Sequence, residues 1–229
     1  MLFMPFDEMY LFLVLPTIIF SMWAQYKVTS SFKKYSKQWT ISGLTGAGAA
    51  QKVLDRAGVS GVRIERVRGN LTDHFDPRDN VIRLSESVYD TPSVAAVGVA
   101  AHEAGHAIQY ANSYVPMKIR ATIIPVTSFG SKMAIPLVLI GILLEMTGLI
   151  NIGILLFGTV VVFQLITLPV EFNASRRAIN ILDEARLLTR EEIPASKKVL
   201  SAAALTYVGA LAVSLAQLLR LIMMAGRRR

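Results

Sequence analysis

The stretch VAAVGVAAHEAGHAIQYA, Val94–Ala111, decides how the rest of the chain is read. At its centre stand His102, Glu103, Ala104, Gly105 and His106, an H-E-x-x-H pattern. On an α-helix His102 and His106 lie one turn apart on the same face. Two imidazoles placed that way can give two nitrogens to one tetrahedral Zn²⁺, at about 2.0–2.1 Å each. Glu103 sits one position round, off the metal's axis but within reach of a water that the metal activates. A metal that lowers the pKa of that water, beside a carboxylate that takes its proton, hydrolyses peptide bonds.

Chance alone produces this pattern about once in a few hundred chains of this length, so a helical context has to support it. That context is present. Asp90 or Thr91 can cap the N-terminus, Pro92 suits the first helical position, and Asn112 falls where a C-cap belongs. Val94 to Ala101 is an uncharged run typical of a buried helix. His102, Glu103 and His106 interrupt it with titratable groups, and a metal is a partner that satisfies all three.

The composition points to a membrane. Of 229 residues, 53% are hydrophobic and the mean hydropathy is +0.47, too apolar for an ordinary soluble domain. With no cysteine, disulfides and thiolate zinc sites are excluded, leaving His and carboxylate as ligands. The net charge of +8 resides in basic residues that flank apolar segments. It therefore fits anionic lipid headgroups rather than nucleic acid.

In chain order, Met9–Tyr26 is the first candidate span. Acidic Asp7 and Glu8 precede it and no A-x-A site follows, so a retained anchor is expected rather than a cleaved signal peptide. Lys27, Lys33, Lys34 and Lys37 place its far end in the cytoplasm under the positive-inside rule. A helix is expected over Gly43–Ala57, capped by Ser42 and closed by Gly58. Val62–Val67 alternates as a strand does, Val81–Ser85 is a second short strand, and Gly69–Asn80 reads as a polar turn region. His74, within that loop, reads as structural, third ligand or substrate contact. Lys118–Glu145 is an apolar segment expected to kink at proline, and Leu149–Val170 is a clean span ending at Pro169. Leu200–Ala225 is a last segment of span length before Arg227-Arg228-Arg229. A full fourth crossing, the reading favoured here, exports that tail against the positive-inside rule; the alternative is a segment that does not cross completely.

Glu171 stands just past the third span. If the helix continues, Ala174, Ser175 and Ala178 share its face, all small enough to admit another helix. Arg176 and Arg177 are expected to point away, toward solvent or lipid phosphate. On local sequence alone two readings of Glu171 stand level: a third zinc ligand, or a helix cap at the membrane surface. Glu145, Glu184 and His74 are its rivals as ligand.

Four runs together resemble the YugP-type membrane zinc metallopeptidases: Asp73-His74-Phe75-Asp76-Pro77-Arg78, Val81-Ile82-Arg83-Leu84-Ser85, His102–His106, and Pro169-Val170-Glu171-Phe172-Asn173-Ala174-Ser175. The resemblance covers essentially the whole chain. HtpX-type and CAAX-prenyl-type membrane proteases are more distantly similar. They too set a membrane hairpin between the H-E-x-x-H helix and a third-ligand glutamate. In that wider group an aspartate follows the glutamate by four residues; here the position is Ser175, the candidate second contact to a zinc histidine.

The resemblance implies a mainly α integral membrane protein with about four transmembrane helices. Its core would be gluzincin-like, an H-E-x-x-H helix with a small β-sheet. His102, His106 and Glu171 would hold one Zn²⁺ per chain, with Glu103 as general base, and the activity would be that of a metalloendopeptidase. The expected parts are an anchor (1–27), a soluble catalytic part (28–117) and a hairpin (118–170). A third-ligand helix with its connection (171–199) and a C-terminal segment with its tail (200–229) complete them. An extended protein or peptide substrate is expected to add a strand at an exposed edge of Val81–Ser85, with Val81, Ile82, Arg83, Leu84, Ser85 and His74 as contacts. The other partner is the lipid bilayer, with the catalytic part in the cytoplasm. An inactive zinc-binding relative acting as a partner-binding module is the alternative. Glu103 argues against it, because a structural zinc site has no use for that carboxylate. A transporter in which the motif is incidental is a third class, separable by zinc content.

Overall fold

The computed structural model describes residues 8–226. Residues 1–7, with Asp7, and the tail Arg227–Arg229 lie outside the described residues. A π-helical stretch, Tyr10–Val14, runs into α1 (Leu15–Tyr35). Then come α2 (Gly46–Arg56), β1 (Arg63–Val67), β2 (His74–Asp76), β3 (Val81–Ser85), α3 (Val94–Ala111), α4 (Val115–Leu143), α5 (Thr147–Glu184) and α6 (Ile193–Gly226). The protein is mainly α with one small sheet. Among the described residues four helical stretches are long and apolar enough to cross a membrane: Tyr10–Tyr35, Val115–Leu143, Thr147–Glu184 and Ile193–Gly226. The chain divides into two compact units, one of Met1–Ala24, Lys118–Leu168 and Leu205–Arg229, the other of Gln25–Met117 and Pro169–Ala204.

In the first unit the helices pair antiparallel through small residues. A Cβ at Gly130 of α4 would lie 2.6 Å from Thr159 Oγ1 of α5, and one at Gly153 of α5 would lie 2.6 Å from Val138 of α4. These glycines let the hairpin helices touch backbone to backbone, the usual way apolar helices associate where water supplies no hydrophobic drive. On the other pair, Gly209 of α6 meets Ser21 of α1, and the Arg220 guanidinium lies 5.2 Å over the Tyr10 ring. The two contacts are eleven residues apart, forward in α6 and backward from Ser21 to Tyr10 in the π-helical stretch before α1. The last helix thus runs antiparallel to residues 10–21. Pro125 and Pro136 are both accommodated inside α4, and Pro169 inside α5. The helix carrying the span expected to end at Pro169 continues to Glu184: proline removes one backbone donor, and the helical bonds on either side carry α5 through it.

The second unit holds the sheet. Its order is β1-β3-β2, with β1 parallel to β3 and β2 antiparallel to it. Ile82, Leu84, Val53, Leu54 and Val97 are fully buried between the sheet, α2 and α3, each contributing about 1.5–3 kcal/mol. The expected helix from Gly43 begins three residues later, with Thr45 Oγ1 accepting from Gly48 N–H. Gly43 instead turns the chain with φ +65°, a conformation in which a helix cannot run. The cap of α3 also shifts, from Asp90 or Thr91 to Ser93, whose Oγ accepts from Ala96 N–H. Pro92 stays outside the helix because its carbonyl accepts from Thr40 N–H, while Trp39 pairs with Ser93 as a β-bridge. Asn112 closes α3 as expected.

Candidate metal centre

Helices α3 and α5 meet where their side chains are smallest. A Cβ on Gly105 would lie 2.7 Å from the Ala174 carbonyl oxygen, so only glycine fits between the motif histidines. Ala174 and Ala178 are fully buried on the matching face of α5, which is the small-residue face that sequence spacing placed beside Glu171. The contact brings His102, His106 and Glu171 together, with one donor atom from each all within 4.8 Å of one another.

Two distances describe the cluster. Glu171 Oε2 lies 3.3 Å from His102 Nε2 and 3.4 Å from His106 Nε2. Direct charge-assisted hydrogen bonds are shorter, at about 2.7–2.9 Å. Ligand atoms at the corners of a tetrahedron with metal bonds of about 2.0–2.1 Å stand about 3.3–3.4 Å apart. The two imidazole rings are nearly perpendicular, 82° between planes with centroids 4.7 Å apart, so both Nε2 atoms face one point. Two imidazoles and a carboxylate, buried together at that spacing, fit a zinc ion.

Burial alone would lower the His106 pKa; the Glu171 carboxylate outweighs it and raises the imidazole above its ordinary value. The site therefore favours positive charge. Glu103 is buried beside the cluster, and its charge is felt at both His106 and Asp73.

Each histidine is also held from behind. Ser175 Oγ lies 3.0 Å from His102 Nδ1, so the hydroxyl that replaces the wider group's aspartate does reach the ring. His106 Nδ1 lies 3.0 Å from Gln109 Oε1. Gln109 went unnoticed in the sequence, although its spacing of three from His106 puts both on one helical face. Its other partners, Val170 O and Asn173 Oδ1, are 61 and 64 residues away. Arg177, expected to point outward, instead donates from Nε to Asn173 Oδ1 at 2.8 Å.

The expected substrate strand needs correction. Val81–Ser85 is the central strand, paired with β1 along its whole length and with β2 over Val81–Arg83, so it is not an edge strand. Val81, Ile82, Leu84 and Ser85 are buried. Arg83 is engaged by carboxylates, its guanidinium bonding Asp76 at 2.9 Å and Asp79 at 2.6 Å. His74 lies outside the metal cluster, exposed on β2, with Nδ1–H donating to Thr72 O. The strand that hid this arrangement is β2 itself, three residues long within the stretch read as turn. It is an edge strand, tied to α3 through Phe75, whose ring centroid lies 5.8 Å from that of Tyr110. Just before it, the Asp73 carboxylate accepts from Ser85 N–H and Oγ–H. Burial raises the Asp73 pKa against those two bonds, and the nearby Glu103 charge adds to the rise.

A family described as "Putative neutral zinc metallopeptidase" matches residues 10–226. The Bacillus subtilis (strain 168) protein "Putative membrane protease YugP" is 50% identical over 215 residues, covering 94% of this chain and 96% of that relative. No solved structure matches. With the matched region spanning the sheet, all four long helices and the convergent two-histidine, one-glutamate cluster, the chain belongs to this zinc metallopeptidase family of membrane proteins.

Proposed function

We propose that the protein is a membrane-embedded zinc endopeptidase of gluzincin type, in which His102, His106 and Glu171 hold one Zn²⁺ and Glu103 is the general base. The observation that carries this reading is the convergence of three donors within 4.8 Å of one another, with Glu171 Oε2 at tetrahedral edge distance from both Nε2 atoms, beside a buried glutamate. Zinc, when bound, acts as a Lewis acid that polarises the scissile carbonyl and makes water a nucleophile at neutral pH. A Glu103 carboxylate oxygen takes the proton from the attacking water and passes it to the leaving amine nitrogen. The outer edge of β2 is open to an extended substrate, and its attachment to α3 sets that strand against the motif helix. Purified protein is expected to carry about one zinc per chain and to cleave casein. A chelator should abolish cleavage and added zinc restore it. Chelator-insensitive cleavage, or protein devoid of zinc, would contradict the reading.

Four crossings support an orientation: residues 36–114 and 185–192 are separated by two spans and so share one face of the bilayer. Lys27, Lys33, Lys34 and Lys37 after the first span, with Arg176, Arg186, Arg190, Lys197 and Lys198, favour the cytoplasm for that face. Single cysteines make the test clean, since the chain has none. On intact cells an impermeant thiol reagent should label Thr147→Cys and spare Ser36→Cys, Ser87→Cys and Ser196→Cys. The opposite pattern would place the site outside.

A further inference from the structure

We propose that Gln109 is a positioning residue that fixes both the orientation and the tautomer of His106, locking the two ligand-bearing helices together. The proposal deepens the zinc reading and rests on it. Arg177 sets the direction of the whole network, because its guanidinium can only donate. Its Nε donates to Asn173 Oδ1, which fixes the amide of Asn173 with oxygen toward Arg177. That same oxygen, and the Val170 carbonyl, both face Gln109 at 3.0 Å and 2.8 Å. Both are acceptors, so Gln109 must present its NH₂ to them. Its oxygen, Oε1, then faces His106 Nδ1 at 3.0 Å. An amide oxygen accepts, so Nδ1 carries a proton, and in the neutral ring that binds a metal the lone pair stands on Nε2, on the side of Glu171.

Gln109 is fully buried and uses both amide hydrogens and its oxygen in these contacts. Buried amide groups stranded without partners are costly, which holds the arrangement firmly. The bonds to Val170 and Asn173 also bracket Glu171 in the sequence of α5. One side chain thereby sets His106 directly and holds the backbone around Glu171. His102 has no such determinant, because the Ser175 hydroxyl can either donate or accept.

With only three histidines in the chain, ¹⁵N-histidine labelling resolves each ring. The wild-type protein in detergent, loaded with ¹¹³Cd, is expected to show metal coupling at Nε2 of His106 and a protonated Nδ1. Coupling at His106 Nδ1 would overturn the proposal while leaving the metal reading intact. Absence of coupling at both His102 and His106 would overturn the metal reading, and the proposal with it. As a second measurement, Gln109→Met should weaken zinc affinity about 10–100-fold, the usual cost of removing an outer-shell partner. Unchanged affinity in the folded variant would also overturn the proposal.

Discussion

Glu103→Gln is expected to keep zinc and fold while losing proteolysis by about 10²–10⁴-fold, the share that a positioned general base contributes. Glutamine matches the shape of the side chain, so the packing of α3 against α5 is preserved. It removes the acceptor for a proton and the means of returning one to the amine. Casein cleavage and bound zinc, measured on the same preparation, check this. Cleavage near the wild-type rate would show that another group is the base. The proximity of Asp73, its own proton affinity raised by burial, makes it the first residue to examine in that event.

Glu171→Ala is expected to strip the metal on dialysis, whereas His74→Ala and Glu145→Ala should retain it. Oε2 of Glu171 is the atom that both Nε2 donors face. Removing it leaves two neutral imidazoles for a dication, without the charge that raises the affinity of the pair. His74 is exposed and outside the cluster. Glu145 precedes α5, with about 36 Å of helix between it and Glu171. Glu184 is about 20 Å further along the same helix. Metal lost from the Glu145 or His74 variant, but not from Glu171→Ala, would overturn the ligand assignment.

These expectations were largely legible in the sequence wherever a periodic signal was long. Helix α3 announces itself through an apolar run broken by three titratable groups; its C-cap at Asn112 is the expected one, and its start falls two residues later than the expected first position at Pro92. The four long helices follow from hydropathy. The small face beside Glu171 follows from 100° per residue once the helix is continued. Three residues of β2 are too few to show alternation, and flanking breakers make them read as turn. Missing that strand turned β3 from a central strand into an imagined edge. Gln109 shows only half of its role locally, the spacing from His106. Its other half depends on which carbonyl and which asparagine α5 brings to it, and chain order does not reveal that pairing. Arg177 differs: its direction is set by Asn173, one turn back on the same helix, a pairing that i, i+4 spacing allows but does not require.

The hairpin of α4 and α5 separates the motif histidines from Glu171 along the chain, and this has a consequence for biosynthesis. A nascent chain that has completed α3 holds two donors of the three and cannot yet close the proposed zinc site. The third arrives only after both arms of the hairpin have been made and α5 has come back. On the proposed ligand set, synthesis therefore yields a competent hydrolase only after membrane insertion, and a chain stalled before that return is a harmless one. The timing of activation is written into the order of the helices.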